Sequence, residues 1–382
     1  MTDRTVTTSV ADREARRKEA YFTASQSQLI WARFRKNRSA MVAGIVLAAM
    51  ILLGLFADFV GPYNPTIAGR NADYTNGAPQ IPRFCDDDGC SLRPFIYGTK
   101  RERSIATNFR WVTTQDTDDK RYVQFFVRGD SYRFLGLSAN LHLFGVDNGY
   151  IHLFGTDDAG KDIFSRTLHA IRTSLAVGTI GVVISFVMAL AIGGVAGYFG
   201  GRIDGVIQMI TDAVRVVPAI PLFMALAAFV PDTWSAETRF FFISIILGLI
   251  GWPTLARRVR THILVERNQD YVLAARLSGA RPGHIIRRHL LPSFTSYIIV
   301  DLVISFPYMV LSETALSFIG LGLKDPVNSL GVMLQNTTSA DVLLNYQWYF
   351  IPVIFFVTLV MAFVFVGDGL RDAADPYASS RK

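Results

Sequence analysis

Six apolar runs dominate this chain: 39–56, 174–198, 219–230, 240–252, 297–319 and 350–366. A helix needs about twenty residues to cross the hydrocarbon of a bilayer, and lipid-exposed irregular backbone is not tolerated there. The first, second, fifth and sixth runs are long enough alone, so an all-α polytopic membrane protein is expected. A hydrophobic content of 51% and a mean hydropathy of +0.30 agree with that class. The third run gains length upstream, from Val206 to Val217, but Asp204, Asp212 and Arg215 fall in or beside it. That pattern predicts a helix buried against others and bent at Pro218 and Pro221. The fourth run extends to Ala256 and ends at Arg257 and Arg258. About six transmembrane helices are expected.

Basic residues set the orientation. Arg13, Arg16, Arg17, Lys18, Arg33, Arg35, Lys36 and Arg38 precede the first run, and Arg257, Arg258, Arg260 and Arg267 follow the fourth. Excess Lys and Arg in short flanks mark the cytoplasmic side, which places both termini inside. The net charge of +7 is thereby explained without a nucleic-acid partner. The first run lacks a small-residue cleavage site and follows a long polar tail, so it reads as a retained anchor. The chain divides into a cytoplasmic tail (1–38), a first transmembrane helix (39–60), an exported segment (61–171), a transmembrane core (172–366) and a cytoplasmic C-terminal tail (367–382).

The exported segment is too long for a plain connector and should be a small α+β or β-rich insertion. Arg121 to Arg128 is rich in strand formers, and Leu141 to Asp147 is echoed by Ile151 to Asp157 across Asn148-Gly149, a hairpin signal. Cys85 and Cys90 flank Asp86, Asp87, Asp88 and Gly89. In an oxidising compartment the pair favours a disulfide; a hard cation on the aspartates is the alternative. Gly155 to Asp162 nearly spells a phosphate-binding loop, but Asp162 stands where a hydroxyl should meet magnesium, and no long buried strand precedes it.

Between the fourth and fifth runs lies a basic loop, 262–292, that speaks to function. Asn268 to Ser278 holds good or neutral helix formers, with Tyr271, Ala274, Ala275 and Ser278 on one face and Arg276 off it. Gly279 suits a left-handed helix end, and Pro282 starts a second helix that should run to a stop at Leu291-Pro292. Two short helices at a glycine corner make a compact knob. A solvated basic connector is the plain alternative.

Ala274-Ala275, Gly279 and Leu291-Pro292 resemble the ATPase-docking loop of ABC importer permeases of the dipeptide, oligopeptide and nickel class. Two positions depart from that pattern. Leu273 replaces the motif's acidic residue, and Arg281 replaces a small polar cap, so contacts to the ATPase would fall to the apolar knob, with Ala280, Leu291 and Pro292 in the loop and Arg276, Arg281, Arg287 or Arg288 supplying polar contacts. Gly155, Thr156, Asp157, Gly160, Lys161, Asp162, Ser165 and Arg166, with Arg172, Ser174 and Leu175, resemble the family's outer motif. There Thr156 or Asp157 could cap the following helix, and Asp162 is spaced for a pair with Arg166. Arg35 to Met41 and Gly367 to Pro376 resemble its opening and closing motifs. The likeness covers about Trp31 to Tyr63 and His152 to Tyr377.

The resemblance implies the type I ABC importer permease fold in a bacterial inner membrane, set in lipid. It also implies a homologous second permease, two ATPase subunits that carry ATP and Mg, an extracytoplasmic substrate-binding protein and a peptide substrate. No cofactor or metal is expected on this chain, and no catalytic constellation is visible among its six histidines. Candidates for the transport path are Asp301, Phe306, Met309 and Glu313. A buried ion pair, with Arg215 as a possible partner, is the alternative for Asp301; a structural role in an outer gate is the alternative for Glu313. Other readings are a nickel or small-solute permease of the same class, a proton-driven secondary transporter, which would show repeated halves, and a membrane enzyme.

Overall fold

The computed structural model describes residues 26–67, 74–86, 89–103, 111–134, 136–146, 148–231 and 233–375. Arg13, Arg16, Arg17, Lys18, Asp87, Asp88, Asp147 and Pro376 lie outside them. A short helix α1 (Gln26–Phe34) leads into α2 (Arg38–Leu55), whose first turn is capped by Asn37. A single turn α3 (Ala57–Val60) then hands the chain to a four-stranded antiparallel sheet in the order β1 (Arg83–Asp86), β2 (Gly89–Arg103), β3 (Trp111–Phe134) and β4 (Leu137–Val146). β4 pairs with β3, with Phe125 opposite Phe144. The echoed segments around Asn148-Gly149 therefore form no hairpin with each other: the first lies almost wholly in β4, the second in loop. Hydrophobic alternation alone could not say which strand β4 would join. Cys85 and Cys90 are register partners at the β1–β2 turn and are joined as a disulfide.

The helical core follows. α4 (Ile163–Phe199) is 37 residues long, roughly 55 Å, and begins well upstream of its apolar run, inside the segment assigned to the insertion. α5 (Gly201–Val216) and α6 (Ala219–Ala227) meet at an 82° bend where Pro218 stands. α7 (Ala236–Glu266) does not stop at Arg257-Arg258 but continues through both arginines, with Pro253 inside it. α8 (Asp270–Leu277), α9 (Pro282–Ile285), a π turn at Ile286–Leu290 and α10 (Leu291–Ser293) form the intervening loop. α11 (Thr295–Phe318), the short α12 (Leu330–Gln335) and α13 (Ala340–Asn345), and α14 (Ile351–Ala374) complete the chain. α14 thus carries helix into the stretch read as a tail.

Five of these helices are long and apolar enough to cross a membrane alone, and the bent pair makes a sixth by length. Packing direction shows why the bent pair must cross. A Cβ at Gly181 would meet Ser244 and Leu247, one at Gly193 would meet Ala256, and one at Gly197 would meet Arg260 and Ile263. Residue numbers rise together, so α4 and α7 run parallel and the chain has to return between them. The expected burial of α5 is not found within this chain. Val206, Met209, Ile210, Val216 and Val217 are exposed, while Asp204 and Asp212 pair with Arg260 and Arg257 of α7.

Gly181, Ser185, Ala189, Gly193 and Gly197 form a buried ladder of small residues at every fourth position along α4. Without a strong hydrophobic drive between helices in lipid, such stripes let backbones approach and van der Waals contact hold them. Ser185 Oγ also donates to the Gly248 carbonyl at 2.7 Å. A Cβ on Gly193 would lie 2.4 Å from the Ala256 carbonyl oxygen, whereas one on Gly205 meets nothing within 4 Å. Gly193→Ala is expected to wedge α4 from α7 at a cost of about 1–3 kcal/mol. Gly205→Ala should be neutral or stabilise by up to about 1 kcal/mol. Monodispersity of the detergent-solubilised protein after a heating series reads both.

Candidate functional site

The knob is built on an apolar underside. Val272, Ile285 and Leu290 are buried with Val259 and Ile263 of α7, and Leu190 and Tyr198 of α4 pack against them. Arg276 lies 4.9 Å over the Tyr198 ring. The seated side of α8 is thus Val272 and Ala275, with the exposed Arg276 reaching over Tyr198, while Tyr271, Ala274 and Ser278 of the face read from periodicity are exposed. Arg276 is held by a cation–π contact that the helical wheel gave no reason to include. The outward face presents Tyr271, Leu273, Ala274 and Leu277, with Leu277 82% exposed.

Gly279 has φ +78°, and its amide donates to the Arg276 carbonyl while the Ala280 amide reaches back to Ala275. This paired closure ends α8 and turns the chain, and Ala275 meets Ala280 in the same cluster. Arg281 precedes Pro282 without a side-chain cap, as its chemistry requires. The second helix does not stop at Leu291-Pro292. The π turn inserts one residue per loop, Pro292 takes the first turn of α10, and the chain continues into α11. His284, Arg287, Arg288 and Pro292 line a basic hollow of about 420 Å³.

At the far end of α4 the outer-motif residues form a second constellation. Asp162 caps α4 by accepting from the Ser165 amide at 2.7 Å, and its other oxygen meets His152 at 3.0 Å. It does not pair with Arg166, which points elsewhere. Arg166 is 2% exposed; it pairs with Asp157 and donates to Asn328 at 2.7 Å, and its remaining nitrogen faces Asp325 at 3.4 Å. Lys161 donates to Asp325 at 2.7 Å. Neither Thr156 nor Asp157 caps α4: the Gly77 amide, from the segment before the sheet, donates to Thr156, and Asp157 accepts within its own loop from the amides of Ala159 and Lys161. Burial raises the Asp157 carboxyl, against the pull of Arg166 and the Lys161 amide. Gly155 and Gly160 hold positive φ at this loop's turns. Asp325 and Asn328 were invisible to motif reading because they come from the loop after α11.

The path candidates do not converge. Asp301 pairs with Arg258 at 2.7 Å, not with Arg215, beside a polar hollow of about 450 Å³ that His262, Arg371 and Asp372 also line. Phe306 stacks on Phe363 at 4.2 Å, and Met309 lies close to Gly181 and Gly251, so both belong to the interhelical core. Glu313 is fully buried; Ser317 donates to it at 2.8 Å and Ser174 at 3.3 Å. Ser174 also accepts from the Leu330 amide at 3.2 Å, tying α4 and α11 to the returning loop.

The sequence matches the family model described as the binding-protein-dependent transport system inner membrane component over residues 171–379. The chain belongs to this family. A second model, the N-terminal TM domain of oligopeptide transport permease C, matches residues 25–79. The dipeptide transport system permease protein DppC of Bacillus subtilis is 38% identical over 226 residues, covering 59% of this chain and 68% of the relative. DppC of Lactococcus lactis is 29% identical over 359 residues, 91% of this chain and 90% of that one. The oligopeptide transport system permease protein OppC of Bacillus subtilis is 35% identical over 226 residues, 59% of this chain and 72% of the relative. Among solved structures, an inward-facing MetNI methionine ABC transporter aligns with TM-score 0.44 and 20% identity over 55% of this chain and 96% of that one.

Asp58, just beyond the first span, gives the far end a pH signature. Burial alone would raise its carboxyl, but hydrogen bonds from His169 and Arg172 outweigh it and lower the group to about 2. Because the folded value is depressed, the contribution is full above about pH 4 and lost as pH falls toward 2. Asp58→Asn should cost about 1–2 kcal/mol at pH 7 after allowance for partial solvent screening. Thermal midpoints of the two proteins should converge on acidification, and a constant gap across that window would contradict the assignment.

Proposed function

We propose that this permease forms half of a peptide translocation path in an ATP-driven importer of the bacterial inner membrane, beside a homologous second permease. One of two ATPase subunits docks on the knob, the other on the second permease, and a substrate-binding protein delivers peptide from outside. The observation that carries the reading is the knob itself: an outward row of Tyr271, Leu273, Ala274 and Leu277 flanked by Arg281, Arg287 and Arg288, seated on the ends of α4 and α7. ATP hydrolysis belongs to the partner subunits. Closure of the ATPases moves the knob, and the helices beneath it switch the path from outward to inward access. The relatives' names favour peptide over nickel, and a buried Glu313 among hydroxyls favours a structural role over proton coupling.

Gly279→Val places a β-branched residue at positive φ, a cost of about 1–2 kcal/mol or more that misplaces α9. The expected outcome is loss of copurifying ATPase and of peptide uptake, with membrane insertion intact. Retention of both would refute the coupling assignment.

Orientation follows from the same reading, with both termini and the knob inside. A cysteine at Thr117 in the sheet should react with an impermeant maleimide in cells whose outer barrier is opened. One at Gly283, where a Cβ meets nothing within 4 Å, should react only after lysis. The opposite pattern would reverse the topology.

A further inference from the structure

The sheet does not stand clear of the first span. α2 ends at Leu55, and Phe56, the next residue, stacks on Phe134 near the end of β3 at 5.4 Å. One turn later Phe59 lies 6.4 Å from Phe126. Polar contacts fix this placement: His142 Nδ1 lies 2.7 Å from the Gly61 carbonyl, and the Asn64 amide donates to Asp130 at 2.8 Å. The β3–β4 hairpin is therefore held at the depth where a membrane-crossing helix leaves the hydrocarbon.

At that depth the hairpin turns large apolar side chains outward. Phe125, Phe126 and Leu137 are 64%, 62% and 75% exposed. Arg128 and Arg133 are exposed on the same hairpin. Phe125 lies opposite Phe144 and Leu137 opposite Phe134 at the turn, so apolar side chains are exposed along the length of the hairpin. Exposed apolar surface of this kind marks an interaction site, and aromatic rings on a hairpin that also exposes basic side chains suit the boundary between acyl chains and phosphates. Continuity with the span commits the occupant to lipid.

We propose that the β3–β4 hairpin lies in the headgroup layer of the leaflet where the first span ends, with Phe125, Phe126 and Leu137 at the acyl boundary and Arg128 and Arg133 against lipid phosphates. The insertion is then a membrane-resting platform, which sets its tilt above the core.

Spin labels test this in the complex as it copurifies, reconstituted in vesicles of phosphatidylethanolamine and phosphatidylglycerol. Leu137→Cys and Phe126→Cys each carry a nitroxide, with Leu52→Cys as a bilayer reference and Gln115→Cys, far along the sheet, as a water reference. The unsubstituted chain, whose cysteines are bonded, gives the labelling background. Labels at 137 and 126 are expected to collide more with oxygen than with an aqueous nickel chelate, as at 52, with the ratio reversed at 115. Nickel-dominated collision at both positions would overturn the proposal, and so would protection from both agents, which would mean that protein covers the hairpin. Two independent positions keep the test decisive if one variant fails to insert.

Discussion

The fold depends on the close approach of α4 and α7. Their contact runs backbone to backbone, because the facing positions of α4 are glycine, serine and alanine, and a carbonyl of α7 occupies the space a Cβ at Gly193 would take. In lipid that proximity replaces the hydrophobic drive that would join the helices in water. Parallel packing forces the return through the bent α5–α6 pair. It also brings the ends of α4 and α7 together, where Arg267 donates to the Gly197 and Tyr198 carbonyls at 3.2 and 3.3 Å, and that junction is the seat of the knob.

The other end of α4 is locked by charge. A buried guanidinium such as Arg166 is tolerated only because Asp157, Asn328 and Asp325 take its donors, and removing one partner from such a site typically costs about 3–5 kcal/mol. The pairing as a whole adds little net stability by that reasoning. What it fixes is geometry: the loop after α11 can sit in one place on α4. Glu313, Ser174 and Ser317 fix the same loop from within, since Ser317 also accepts from the Leu323 amide at 3.0 Å.

The spans and the glycine corner were legible because they rest on local physics, namely apolar length and the φ of one residue. Gly279 and Pro282 do what their backbone chemistry dictates. Partners from distant segments were not legible: Arg166 sits one turn from Asp162, yet its ligands come from 157, 325 and 328, and Asp301 found Arg258 rather than Arg215. Sequence spacing proposes pairs within a helix, and tertiary packing overrides them where the alternative is an unpaired buried charge. The small-residue ladder is present in the sequence as a period of four, but hydrophobic periodicity weighs glycine and serine as gaps. Sheet pairing failed for a related reason, since similar strand segments do not say which neighbour each joins.

The path from knob to α11, helical except at Phe294, bears most on how motion could travel. Had Leu291-Pro292 ended the second helix, the knob would hang from α7 alone on a flexible tether. The π turn absorbs the amide that Pro292 lacks and carries helix onward with only Phe294 outside it, while Leu290 and Phe294 stay buried in the knob's own cluster. The knob is therefore joined covalently to α7 before it and α11 after it, and by packing to α4. Two of those helices, α4 and α11, hold the network of Arg166 and Glu313 at the far end. A helix transmits displacement along its axis far better than a loop does, so a push on the exposed row at Leu273 and Leu277 bears on helices that reach the opposite face.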